Sequence, residues 1–186
     1  MKNFKFKQNP SRYSAVAIAL HWLLAFSLIG IFGVGLYMAD LPFSPARLQL
    51  YSWHKWAGIT FLALSLARLL WRLTHRPPAL PLQVARAMPA WQWLAYQGTH
   101  VALYLLFFVV PLVGWAYSSA AGYPVVLFGV LPLPDFVPAD KALAALIKPW
   151  HEISAFALIG LAALHVAAAV KHHWVEKDGL LQRMLP

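Results

Sequence analysis

The stretch WHEISAFALIGLAALHVAAAVKHHW, Trp150 to Trp174, decides the fold. A helix needs about 20 mostly apolar residues to cross a bilayer, and this stretch has them. It also carries His151 at its start and His165 inside it. Fourteen residues separate the two. At about 100° per residue that spacing returns to nearly the same helix face, about 40° off. It also sets them about 21 Å apart along the axis. A histidine at membrane depth is costly and calls for a partner or a cofactor. One helix face therefore offers two ligands near opposite surfaces.

Three more stretches have spanning length: Ala15 to Met38, Ser52 to Leu73 and Trp91 to Tyr117. Of the 186 residues, 61% are hydrophobic and 11% are charged, with a mean hydropathy of +0.60. That is too apolar for an ordinary soluble domain. Nine Trp and seven Tyr supply interfacial aromatics. The absence of cysteine excludes disulfides, iron–sulfur clusters, thiolate zinc sites and the C-x-x-C-H haem attachment. No internal repeat or second domain is visible, so residues 1–186 read as one transmembrane domain. The fold class expected is all-α, an integral membrane four-helix bundle in a lipid bilayer.

The net charge of +9 belongs to short flanks between apolar runs, which points to topology and not to nucleic acid. One side holds Lys2, Lys5, Lys7, Arg12, Arg68, Arg72, Arg76, Arg86, Lys171, Lys177 and Arg183. The other holds Arg47, Lys55, Lys141 and Lys148 beside Asp40, Asp135, Asp140 and Glu152. The positive-inside rule then puts both termini in the cytoplasm. The first apolar run is too long for a signal peptide and no small-x-small cleavage site follows it, so it reads as a retained helix. Pro77, Pro78 and Pro81 end the second helix, Pro111 interrupts the third, and Pro149 is expected where the fourth starts. The segment from Gly122 to Pro138, apolar but broken by Gly and Pro, reads as an external cap on the bundle.

Depth sorts the histidines. His21 lies just inside the inner end of the first helix, and His165 about nine residues before the inner end of the fourth. His54 and His151 are expected to open the second and fourth helices at the outer surface. Two pairs at opposite ends of one bundle suggest two stacked haems. Imidazole is a good haem-iron ligand, and two axial histidines leave no open position, so such a site passes electrons and does not bind dioxygen. Arg68, inside the second apolar run, is the candidate contact for a haem propionate. Gly30, Gly33, Gly58 and Gly160 can admit a planar macrocycle, with close helix packing as their other use. His100 has no depth-matched partner and is assigned a structural or propionate-contacting role. His75 belongs to the solvated basic loop. His172 lies seven residues beyond His165 and carries its stripe to the inner surface, where it can contact a quinone; the other reading for it is a helix-terminal histidine facing the dipole. No side chain is assigned a catalytic role.

The chain resembles the bacterial cytochrome b561 family. The matching pieces are Ala19-Leu20-His21-Trp22, His54-Lys55-Trp56-Ala57-Gly58 and Ala67-Arg68-Leu69-Leu70-Trp71-Arg72. They continue with the run from His100 through Tyr104 to Pro111 and Gly114, then Trp150-His151-Glu152, Leu164-His165-Val166-Ala167-Ala168 and Lys171-His172-His173. A charged turn and an Arg183-Met184-Leu185-Pro186 finish complete the likeness. The resemblance implies two haem b groups per chain in a multi-pass protein of the bacterial inner membrane. His21 and His165 would ligate the cytoplasmic-side haem, and His54 and His151 the periplasmic-side one. It further implies a superoxide oxidase that passes electrons from superoxide to ubiquinone, with His172 at the quinone. The chain departs from the quinone-binding member type at Ala19, where that type has serine.

A superoxide reaction needs a positive outer funnel, for which Arg47, Lys55, Lys141 and Lys148 are the candidates. The alternative is an electron-carrier cytochrome b linking quinol to a periplasmic or dehydrogenase redox partner. A haem-free membrane anchor is the third reading.

Overall fold

The computed structural model describes residues 12–186. Lys2, Lys5 and Lys7, expected on the basic side, lie outside the described residues. Five α-helices are formed: α1 Ala15–Ala39, α2 Pro45–Thr74, α3 Leu82–Ala87, α4 Ala90–Ala120 and α5 Lys141–Lys171. All but the short α3 are long and apolar enough to cross a membrane. They alternate in direction, so the described chain begins and finishes at one end of the bundle. Tyr13 N–H donates to the Arg183 carbonyl there at 3.3 Å. Close approach is greatest between α4 and α5 and between α1 and α2, with α2 also against α4. α1 and α5 approach each other much less closely.

Local chemistry sets the helix limits. Ser14 Oγ accepts from Ala17 N–H at 3.3 Å and starts α1. Ser44 Oγ accepts from Arg47 N–H at 3.2 Å, and Pro45 occupies the first position of α2, where its missing N–H costs nothing. Asp140 Oδ1 accepts from Ala142 N–H at 2.7 Å and from Leu143 N–H at 3.1 Å, which starts α5. These caps correct two expectations. The second and fourth spans begin before their apolar runs, because a cap fixes a helix start and hydropathy does not. His54 and His151 therefore do not open their helices: they lie nine residues after Pro45 and ten after Lys141. Pro149 likewise sits inside α5 and not at its start.

The helices are apolar on faces that meet no protein. Phe26 is 66% exposed and Leu94 73%, while Leu24 and Leu158 are each 1% exposed. A helix that is apolar all round belongs in a membrane or a large core, and only the first suits a chain of this size.

The segment after α4 folds over the far end of the bundle, as expected of a cap. It contains the only strands among the described residues, a two-stranded antiparallel hairpin, β1 Val126–Leu127 with β2 Leu131–Pro132. Phe128 and Gly129 turn it with φ of 51° and 75°. Trp56 Nε1 donates to the Val126 carbonyl at 2.6 Å, and Lys55 Nζ donates to the carbonyls of Tyr123 and Pro124, both at 3.2 Å. Val125 is buried at 1% exposure beneath.

Candidate electron-transfer site

Depth and helical phase bring the histidines together in the expected pairs. Near the termini, His21 of α1 and His165 of α5 have ring centres 6.3 Å apart, with planes at 63°. Toward the far end, His54 of α2 and His151 of α5 have ring centres 6.2 Å apart, with planes at 89°. An imidazole nitrogen sits about 2 Å from a bound transition metal. Carbon–nitrogen bonds of about 1.3 Å place the ring centre about 1 Å behind that nitrogen. Two rings on opposite sides of one metal ion thus have centres about 6 Å apart. Both pairs have the spacing that would let two imidazoles hold one metal ion between them.

The ring environments agree with that use. A Cβ on Gly114 of α4 would lie 2.7 Å from His151 Cε1, and one on Gly35 of α1 would lie 3.1 Å from His54 Cε1. Only glycine lets these backbones approach so closely. His151 Nδ1 is 3.1 Å from the Val110 carbonyl, which leaves Nε2 for a metal and fixes the ring, as a bond to a ligand's other nitrogen should. The Ile31 carbonyl lies beside the His54 ring, yet buried Nδ1 makes no hydrogen bond of good geometry. An apolar cavity of about 120 Å³ adjoins His54, lined in part by Gly30, Val34 and Ala57.

Positions Gly30, Gly33, Gly58 and Gly160 have nothing within 4 Å of an added Cβ. They are open, and close helix packing is not their use.

His100 corrects its expectation. Its ring centre is 5.2 Å from that of His165, at 88°, so it shares the depth of the termini-end pair. α4 starts at Ala90, and ten residues of rise carry His100 about 15 Å inward. The shorter spacing is too tight for two rings on opposite sides of one metal ion. His100 Nδ1 is taken by the Tyr96 carbonyl at 2.7 Å, and the ring packs edge-on against His165.

A cavity of about 420 Å³ opens at the termini end. Arg12, Arg68, Arg72 and Arg76 line it, and no carboxylate does. Arg68 donates to Tyr104 Oη at 3.2 Å and to the Ala17 carbonyl at 3.3 Å. Arg68 and Arg72 both sit on the Tyr104 ring, 5.9 and 5.4 Å from its centre. Guanidinium groups without a carboxylate partner suit an anionic group such as a propionate. His75 is exposed, as expected, and also stacks on Trp71 with ring centres 3.7 Å apart.

His172 ends α5 and opens a π-helical turn, His172–Glu176. Its Nδ1 lies 2.6 Å from both Asp178 Oδ2 and Glu176 Oε2. At the far end the expected steering cations are partly occupied. Lys55 holds the cap, Lys148 pairs with Glu152, and Arg47 lies over the Tyr51 ring.

The sequence assigned no role to Gly35, Gly114 or Asp178. The first two matter only through rings on other helices, which no spacing along one helix reveals. Asp178 left a weak signal as the acid in the charged turn of the tail.

A family model described as prokaryotic cytochrome b561 matches residues 12–186. "Cytochrome b561 homolog 2" of Escherichia coli (strain K12) is 34% identical over 181 residues, covering 97% of this chain and 94% of that protein. "Cytochrome b561 homolog 1" of the same organism is 33% identical over 177 residues, covering 95% and 98%. A protein of Yersinia pestis named "Probable superoxide oxidase CybB" is 32% identical over 181 residues, covering 94% and 96%.

Proposed function

The chain belongs to the prokaryotic cytochrome b561 family, whose work is haem-based electron transfer in a membrane, and from that premise we propose that it is a dihaem superoxide oxidase. Superoxide gives up its electron at the periplasmic face of the bacterial inner membrane, and ubiquinone is reduced near the cytoplasmic face. Both termini lie in the cytoplasm, following the concentration of Lys and Arg at that end.

The observation that carries this reading is the repeated ring spacing, 6.3 Å for His21–His165 and 6.2 Å for His54–His151. His21 and His165 would hold the cytoplasmic-side haem b, and His54 and His151 the periplasmic-side one. Bound haem b supplies one-electron redox chemistry at each position. The chain's own residues do the rest. With two imidazoles each, the pairs would hold the haems with no position left for dioxygen. The Val110 carbonyl orients His151, and the edge of His100 steadies His165. Arg68 offers charge-assisted hydrogen bonds to a propionate and, as a nearby cation, favours the reduced state. His172 would contact the quinone headgroup. The substrate assignment draws on the relative named as a probable superoxide oxidase.

Rapid mixing of the purified holoprotein with superoxide should reduce both haems, and added ubiquinone should reoxidise them. The engaged Lys55 and Lys148 and the two relatives named simply for cytochrome b561 favour a second reading, an electron carrier between quinol and a protein partner. Haems that quinol reduces but superoxide leaves oxidised would establish the carrier and end the oxidase.

A further inference from the structure

Two carboxylates converge on His172 Nδ1, each at 2.6 Å. One ring nitrogen carries at most one proton, so it can serve only one of them well. Geometry selects Asp178, whose Oδ2 meets hydrogen-bond criteria. Enclosure selects it too: its side chain is 9% exposed, against 31% for Glu176. The other Asp178 oxygen accepts from Leu180 N–H at 3.0 Å, which fixes the carboxylate. Glu176 is drawn off by Lys171, whose Nζ lies 2.7 Å from Oε1.

The backbone is shaped for this contact. α5 relaxes into the π-helical turn at His172, and Lys177 then takes a left-handed conformation with φ of 50°. Lys177 N–H donates to the His172 carbonyl, which closes the turn and returns the chain so that Asp178 meets the imidazole. A π-helical turn at the end of a long α-helix is uncommon and often accompanies function.

We propose that Asp178 is a positioning residue for quinone reduction: it holds the Nδ1 proton of His172 and so presents Nε2 to the quinone oxygen. The proposal rests on the reading of His172 as the quinone contact. Reduction of one quinone takes two electrons, delivered singly as two superoxide anions become dioxygen, and two protons. When Nε2 also carries a proton, its N–H bond breaks as the quinol O–H bond forms, and the other proton stays on Nδ1, donated to Asp178. The ring regains its proton from water at the surface, and water supplies the second proton. Without Asp178 the ring can turn or change tautomer, and the transfer loses its aim.

The test uses holoprotein with ubiquinone as acceptor. Asp178→Asn should keep both haems and the parent rate of haem reduction by superoxide. Its kcat for quinone reduction should fall about tenfold, the range seen when the partner orienting a functional histidine is removed, with KM changed by less than about twofold. Asp178→Glu should recover much of the rate. A parent-like kcat in Asp178→Asn, or a rise in KM alone, would overturn the proposal. So would a loss in Glu176→Gln that Asp178→Asn does not share. If His172→Ala reduces quinone at the parent rate, the quinone reading of His172 falls and Asp178 falls with it. Nitrogen-15 NMR of the unmodified protein gives a check free of mutation: the neutral His172 ring should carry its proton on Nδ1, and a bare Nδ1 sinks the idea.

Discussion

Gly114 shows how much a single hydrogen atom decides. A methyl group there would meet the His151 ring at 2.7 Å, so the ring would have to shift. Gly114→Ala should therefore displace His151 and lower haem content from the proposed two toward one per chain, measured by pyridine haemochrome assay. Gly35→Ala presses on the His54 ring at 3.1 Å and should give a milder loss. Gly98, with nothing within 4 Å, is the control: Gly98→Ala should keep the parent haem content and steady α4 by about 0.5–1 kcal/mol. At this scale the four paired histidines were legible because rise and rotation along a helix are arithmetic. The glycines were not, since their role depends on which ring stands opposite on another helix. His100 was legible in principle; counting its depth from Ala90 places it level with His165, and only its lone position in the third span concealed that.

Among the elements, α5 bears the greatest burden, because it contributes to both pairs. His151 and His165 lie about 21 Å apart along its axis, so the two haems proposed for these pairs should be separable. His165→Ala should lose one haem and spare the other; two haems remaining per chain would refute the pairing. The ends of α2 and α5 were misjudged from sequence for a shared reason. Hydropathy marks what a membrane accepts, whereas Ser44 and Asp140 mark where hydrogen bonding begins. Asp140→Ala should fray the first turn of α5 at a cost of about 1 kcal/mol. His151 is ten residues inside that helix, so haem content should stay at the parent value, which absorbance together with thermal melting would check.

Across the whole molecule, the last residues tie the termini end together. Arg183, 2% exposed, donates to the carbonyls of Pro78 at 3.1 Å and Ala79 at 2.9 Å and lies over the Tyr13 ring. Trp22 Nε1 donates to the Met184 carbonyl at 2.8 Å, and Arg12 to the Leu185 carbonyl at 2.6 Å. Arg183→Ala would strip a charged donor from two carbonyls and should lower stability by about 3 kcal/mol, read as a fall in melting temperature. Arg183→Lys, which reaches one carbonyl at a time, should fall between. The likeness of this tail to a family ending was readable in the sequence, but its role as a clasp was not, because the contacts cross more than half of the chain. That distance gives the clasp a place in time. Its partners are separated by 105, 162 and 173 positions, so it cannot close until α1 to α5 have all been made. Until then the arginine-lined chamber lacks Met184 as part of its wall.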